Sequence, residues 1–148
     1  MKKPIHYDFY RLTGFEPTVI GYLKALWNPG FRYLFFFRLI QSSNSKIIIN
    51  FLKLILRHYQ FKFGYQIHPS TKIGKGFNIS HFGSIIINSN AIIGENCNVN
   101  SGVVIGSAGR NNKKGVPLIS DRVWIGSNAI IVGGVKIGND VLIAPGTF

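Results

Sequence analysis

Read in sixes from residue 119, the chain runs ISDRVW, IGSNAI, IVGGVK, IGNDVL and IAPG up to residue 146, each block opening on isoleucine. A period of six is neither the 3.6 of a helix nor the 2 of an ordinary strand. It is the period of a parallel β-helix whose coils have three short sides, one hexapeptide per side, with the opening aliphatic residue turned into the axis. The rhythm extends toward the N-terminus through Ile67, Ile73, Ile79, Ile87, Ile93, Val99 and Ile105 before Ile119, Ile125, Ile131, Ile137 and Ile143. A small or β-branched residue holds the fifth place, as at Thr71, Ala91, Cys97, Val103, Val123, Ala129, Val135, Val141 and Thr147. The sequence therefore predicts about four coils, opening at Ile67, Ile87, Ile105 and Ile131 and stacked at roughly 4.8 Å.

Two departures break the rhythm. Ile79 to Ile87 is two residues too long, and Gly106 to Leu118 is a longer excursion on the third coil. Solenoids tolerate insertions at corners, where working residues collect. The short break contains His81, and the register sets Ile79, Val99, Ile125 and Ile143 on one side, with His81 in the column of Ser101 and Ser127. A lone histidine is more often structural than chemical, but one inside a period-breaking insertion is a candidate base, since imidazole titrates near neutrality. His68, in Ile67-His68-Pro69, reads as packing or turn capping. Cys97 reads as a small filler within the repeat; a single cysteine excludes an intrachain disulfide framework and suits a reducing compartment.

Residues 1–66 read as an α-helical region preceding a β-helix of residues 67–148, a mainly β fold. Met1 to Pro17 has mixed polarity and no clear period, so it is loosely structured or a short helix. Thr18 caps a helix to Trp27 with Val19, Tyr22, Leu23 and Leu26 on one face, ended by Asn28-Pro29-Gly30. A second helix spans 31–41. After a serine-rich turn, Ser45 caps a third from Lys46 to Phe63, closed by Gly64. Asn50, Lys53, Arg57 and Gln60 form a narrow polar stripe on that helix, and nearly everything else on it is apolar. Such a helix packs on the repeat or on a copy of itself; the alternative is an interfacial anchor making peripheral contact with a membrane.

The net charge of +12 is +8 over residues 1–66 and +4 over the remainder. It attracts anionic partners without choosing among them, and no nucleic-acid motif accompanies it, so none is expected as a partner. Lys2 and Lys3 lead into a mixed polar segment and not an apolar run, and the most apolar stretches are interrupted by charge. The expectation is a cytoplasmic protein, with the inner membrane face as the place of any peripheral contact.

Several segments together carry a resemblance: Ile67-His68-Pro69, Ile73-Gly74-Lys75-Gly76, the His81 insertion, Val103 to Gly109, Trp124 to Ala129 and Gly133 to Gly138. Residues 65–148 resemble the hexapeptide-repeat acyltransferases with a left-handed parallel β-helix, most of all the serine O-acetyltransferases and related capsular or exopolysaccharide O-acetyltransferases. The resemblance alone implies the left-handed sense, since crossovers are generally right-handed. It further implies acetyl-CoA as co-substrate, no metal, and a homotrimer whose active sites lie between subunits. On the donor side it implies contacts at Gly106, Ser107, Trp124 and Ser127, with Arg110, Lys113, Lys114 and Lys136 as candidates for the phosphates. His81 takes the place of the catalytic histidine.

Where serine acetyltransferases carry aspartates beside that histidine and before Ile-His-Pro, this chain has Ser80 and Gln66; where they carry a histidine ahead of proline, it has Val116. Gln66 can accept a hydrogen bond from the imidazole but brings no charge. These departures point the expectation toward a saccharide hydroxyl as acceptor in capsule, exopolysaccharide or lipid-linked material. A serine O-acetyltransferase is the alternative, and a non-catalytic scaffold the third reading.

Overall fold

The computed structural model describes residues 3–110 and 114–148. Four helices precede twelve short strands: α1 (Pro4–Thr13), α2 (Val19–Ala25), α3 (Pro29–Ser42) and α4 (Lys46–Phe63). Coil one holds β1 (Tyr65–Ile67), β2 (Lys72–Ile73) and β3 (Asn78–Ile79). Coil two holds β4 (Ile85–Ile87), β5 (Ile92–Ile93) and β6 (Asn98–Val99). Coil three holds β7 (Val104–Gly106), β8 (Leu118–Ile119) and β9 (Trp124–Ile125), and coil four β10 (Ile130–Val132), β11 (Lys136–Ile137) and β12 (Leu142–Ile143). Every third strand pairs in parallel, giving three four-stranded sheets ordered β1-β4-β7-β10, β2-β5-β8-β11 and β3-β6-β9-β12. The register Ile67↔Ile87↔Ile105 and Ile79↔Val99↔Ile125↔Ile143 is the one that the six-residue period dictates.

The aliphatic residues opening each side turn inward because a coil this narrow has room at its axis for one side chain per side. Ile67, Ile79, Ile105 and Ile125 are wholly enclosed, and so are the fifth-place residues Thr71, Ala91, Cys97, Val103 and Ala129. The Cys97 thiol donates to the Ser120 carbonyl at 3.1 Å, the filler role read from its place in the hexad. Burial pushes that thiol above its ordinary range. At the corner between the second and third sides, Gly76, Asn96, Arg122 and Asp140 form a column in the left-handed region, with φ between 57° and 73°. Gly76 is required there, because a Cβ would run into the Asn96 side-chain oxygen.

The helices follow local signals. Pro4 stands in the first turn of α1, and Gly14 closes it at φ 74°. The Thr18 hydroxyl accepts from Gly21 N at 3.0 Å, and Asn28 Oδ1 accepts from Phe31 N at 3.0 Å. Two expectations are corrected. Ser45 occupies the N-cap of α4 without a side-chain cap bond. On α2, Tyr22 and Leu26 pack on Phe9, Ala25 and Phe31, whereas Val19 and Leu23 face outward, because α1 and α3 cover only one narrow side of so short a helix.

The helical region sits on the open end of coil one, whose outer backbone groups have no preceding coil to pair with. Side chains take that place. Tyr33 OH donates to the Ile67 carbonyl at 2.6 Å, joined by Gln60 Nε2 at 3.2 Å. Gln41 Nε2 donates to the carbonyls of Pro69 and Thr71, and Arg38 to those of Ile73 and Gly74 at 2.7 and 2.6 Å. Asp8 accepts from Phe77 N at 2.9 Å and pairs with Arg38 at 2.8 Å. Gly30 lies so close to Ile79 that a Cβ would meet its carbonyl oxygen. Tyr33, Phe37 and Leu56 accordingly share one apolar cluster with the coil interior.

Candidate active site

His81 and Phe82 form the exposed tip of the corner joining β3 to β4. The corner is anchored at both roots: Ser80 N donates to the Val99 carbonyl and Gly83 N to the Phe63 carbonyl, each at 3.1 Å. Gly83 has φ 130°, a conformation that L side chains rarely adopt, and a Cβ there would press on Ser101. The two extra residues thus bulge outward over the Ser101 corner of the next coil, and His81 shares a column with Ser101 and Ser127. Among the described residues its ring makes no side-chain hydrogen bond. Its carbonyl accepts from Tyr65 OH at 3.4 Å. Burial drives the Tyr65 phenol far above its ordinary range, which keeps it a neutral donor.

Gln66 projects outward from β1, in register with Ile86. It lines a groove of about 860 Å³ together with Gln60, Phe61, His68, Ser70 and Ser89. Among the described residues every polar group there is uncharged or an imidazole, and Gln66 makes no hydrogen bond to His81. His68 binds Ser70 through Nδ1 and Oγ at 2.7 Å, a turn-capping arrangement. The three carboxylates of the coil, Glu95, Asp121 and Asp140, stand on the corner between the second and third sides. There Glu95 pairs with Lys75, Asp121 accepts from Glu95 N, and Asp140 pairs with Arg122.

The remaining candidates spread around the coil. Ser127 is on the His81 corner. Trp124 is outward on β9, between Asn98 and Leu142 in the register. Gly106 ends β7, and the exposed Ser107 and Arg110 follow on the corner between first and second sides, where Ala108 and Gly115 bridge the base of the excursion. Lys136 is exposed on β11, beside Leu118. Lys113 lies outside the described residues. One chain therefore gathers His81, Ser101 and Ser127, with Gln66 on the adjoining side, and leaves Gly106, Ser107, Arg110 and Lys136 elsewhere on the surface. Among the described residues there is no group of three His, Cys, Asp or Glu suited to a metal ion.

A bacterial transferase hexapeptide model (six repeats) matches residues 117–148. The serine acetyltransferase of Helicobacter pylori is 30% identical over 140 residues, covering 94% of this chain and 82% of that protein. The chain belongs to the serine acetyltransferase family. The serine acetyltransferase of Synechococcus elongatus is 28% identical over 148 residues, 99% of this chain, which spans only 61% of that protein's length. Among solved structures, the Neisseria gonorrhoeae serine acetyltransferase in complex with serine is similar at 27% identity and a TM-score of 0.72, covering 97% of this chain and 59% of that one. The Brucella abortus enzyme in complex with coenzyme A has the same fold, at 23% identity and a TM-score of 0.73, over 96% of this chain and 57% of that one. With this likeness the coil is left-handed, as the motif resemblance implies.

The sequence reading did not find the residues that hold the His81 corner, Tyr65, Asn78 and Asn98. A signal was present for two of them: Asn78 and Asn98 both precede the inward residue of the same side, in adjacent coils.

Proposed function

We propose that the chain is an acetyl-CoA-dependent O-acetyltransferase in which His81 is the general base and L-serine the acceptor. The observation that carries it is the position of His81: an exposed imidazole at the tip of a two-residue break, above Ser101 and Ser127, in a chain of this family. His81 takes the proton of the acceptor hydroxyl as the oxygen attacks the thioester carbonyl. The carbon–sulfur bond breaks, and the proton passes from the imidazolium to the departing thiolate, so the base is regenerated. Gly106, Ser107, Trp124 and Ser127 bind the donor's arm, and Arg110 and Lys136 its phosphates. Because most of these groups lie on other sides and corners of the β-helix than His81, the reading requires neighbouring subunits to bring them together, in a homotrimer.

The serine acetyltransferases among the relatives support serine over the saccharide hydroxyl expected from Ser80, Gln66 and Val116. The saccharide is the second reading, on Ser80 and Gln66, which are neutral where serine acetyltransferases carry aspartates. The test is thiol release from acetyl-CoA by the purified chain, with L-serine and with a sugar panel. L-Serine should raise release far above hydrolysis, and His81→Ala should remove about 10²–10⁴-fold of it. Release with sugars alone sinks the serine assignment. No release with any acceptor, or an unchanged rate in His81→Ala, sinks the mechanism. Sedimentation of the same sample should give a trimer.

A further inference from the structure

The side of the coil that leads into His81 carries polar residues where its outward face is covered. Asn78 and Asn98 are register partners on β3 and β6. Asn98 Oδ1 accepts from Asn78 Nδ2 at 2.7 Å and from Ser80 Oγ at 2.7 Å, and Asn78 Nδ2 reaches Ser80 Oγ at 3.1 Å. Asn98 Nδ2 in turn donates to Asn100 Oδ1 at 3.3 Å. Asn98 and Asn100 are only 5% and 6% exposed, whereas Asn78 and Ser80 are half-buried, so the Asn98 acceptor to which Ser80 bonds lies on the sheltered side of the cluster.

We infer that Ser80 is a positioning residue for His81, holding the root of the exposed corner to Asn98 so that the imidazole keeps one direction. The inference rests on the reading of His81 as the base. The ring has no hydrogen-bond partner of its own among the described residues, so its direction follows from the backbone of residues 80–83. Three tethers hold that backbone: the Ser80 end, the Gly83 amide on the Phe63 carbonyl, and Tyr65 OH on the His81 carbonyl. Only Ser80 adjoins His81 directly while also fixing its own side chain. Its hydroxyl is used in both senses, giving its proton to Asn98 and receiving one from Asn78. Alanine at 80 removes both bonds but leaves Asn78–Asn98–Asn100 joined, so the strand persists and only the corner loosens. A neutral hydroxyl and amide pair thereby does by tethering what a carboxylate beside the histidine would do by charge.

The experiment compares wild type, Ser80→Ala and Ser80→Thr in full-length protein, with two readouts. In steady-state kinetics, Ser80→Ala should lower kcat about 10–100-fold with the KM for acetyl-CoA unchanged, the size expected for a misplaced reacting group. Ser80→Thr, which keeps the hydroxyl, should restore most of the rate. In NMR spectra, the His81 ring signals, assigned with His81→Ala, should shift or broaden in Ser80→Ala and return in Ser80→Thr, while melting temperatures stay together. Ring signals that coincide in wild type and Ser80→Ala overturn the inference, whatever the rate does. So does a Ser80→Ala kcat within about twofold of wild type. A wild type with no turnover sinks the proposed function and not this inference, because the ring signals still decide it.

Discussion

Asp8 and Arg38 are 1% and 6% exposed, and between them they complete the backbone of Ile73, Gly74 and Phe77. Asp8→Ala leaves the guanidinium buried without a counter-charge and should cost on the order of 3–5 kcal/mol in urea unfolding. Burial raises the Asp8 carboxyl above its ordinary value of 3.8, against the opposing pull of Arg38 and the Phe77 amide. The folded state therefore binds that proton more tightly than the unfolded chain. The stabilisation is full below 3.8 and is lost as pH rises through the folded value. Asp8 should contribute a fall in stability with pH over that window, read as the difference in slope between wild type and Asp8→Asn, which keeps an acceptor oxygen without the charge. Tyr33→Phe removes the buried bond to the Ile67 carbonyl and the one its hydroxyl accepts from Gln60 at 3.3 Å, while Gln60 keeps its own bond to Ile67, and should cost about 1 kcal/mol by the same measurement. None of these partners is visible in the sequence. Asp8 lies in a stretch without a period, 30 residues from Arg38, and nothing local marks the pair. His81 is legible because it disturbs a regular background.

At the scale of the element, the His81 corner depends on one glycine. Gly83→Ala meets both an unfavourable φ and the Ser101 side chain. It should cost about 1–3 kcal/mol in thermal or urea unfolding and weaken catalysis through the same corner. The strands are readable from the sequence nearly to the residue, because the period-six pattern and the narrow interior leave a single register. Helix ends are readable where a cap is chemical, as at Thr18 and Gly64; Asn28-Pro29-Gly30 reads as a stop before a helix of 31–41, yet Asn28 caps α3 and Pro29 opens it, and Gly14 closes a helix in a stretch without a period. Which face a helix buries is less legible. On α4, Leu52, Leu56, Tyr59 and Phe63 turn to the core, while Ile47, Phe51, Leu54 and Phe61 remain at the surface. Both sets read alike in the sequence, because burial depends on what α3 and coil one bring against them.

For the whole molecule, the helices and the coil are mutually dependent. A chain beginning at Tyr65 should lose the groups that satisfy coil one and expose the Tyr33, Phe37 and Leu56 contact surface. The outcome expected is aggregation on refolding, read by light scattering, where the full chain stays clear. The hexad rhythm starts at Ile67 and sets the sequence's division at residue 66; in the structure β1 begins at Tyr65, and the sequence shows nothing of how helices seal a stack. That seal gives the stack a direction. Its carbonyls at Ile67, Pro69, Thr71, Ile73 and Gly74 are already occupied by side chains, so a strand from another molecule arriving along those two sides finds those acceptors taken. Edge-to-edge growth is closed from the helical side by five polar side chains, Asp8, Tyr33, Arg38, Gln41 and Gln60, without a charged strand or a proline.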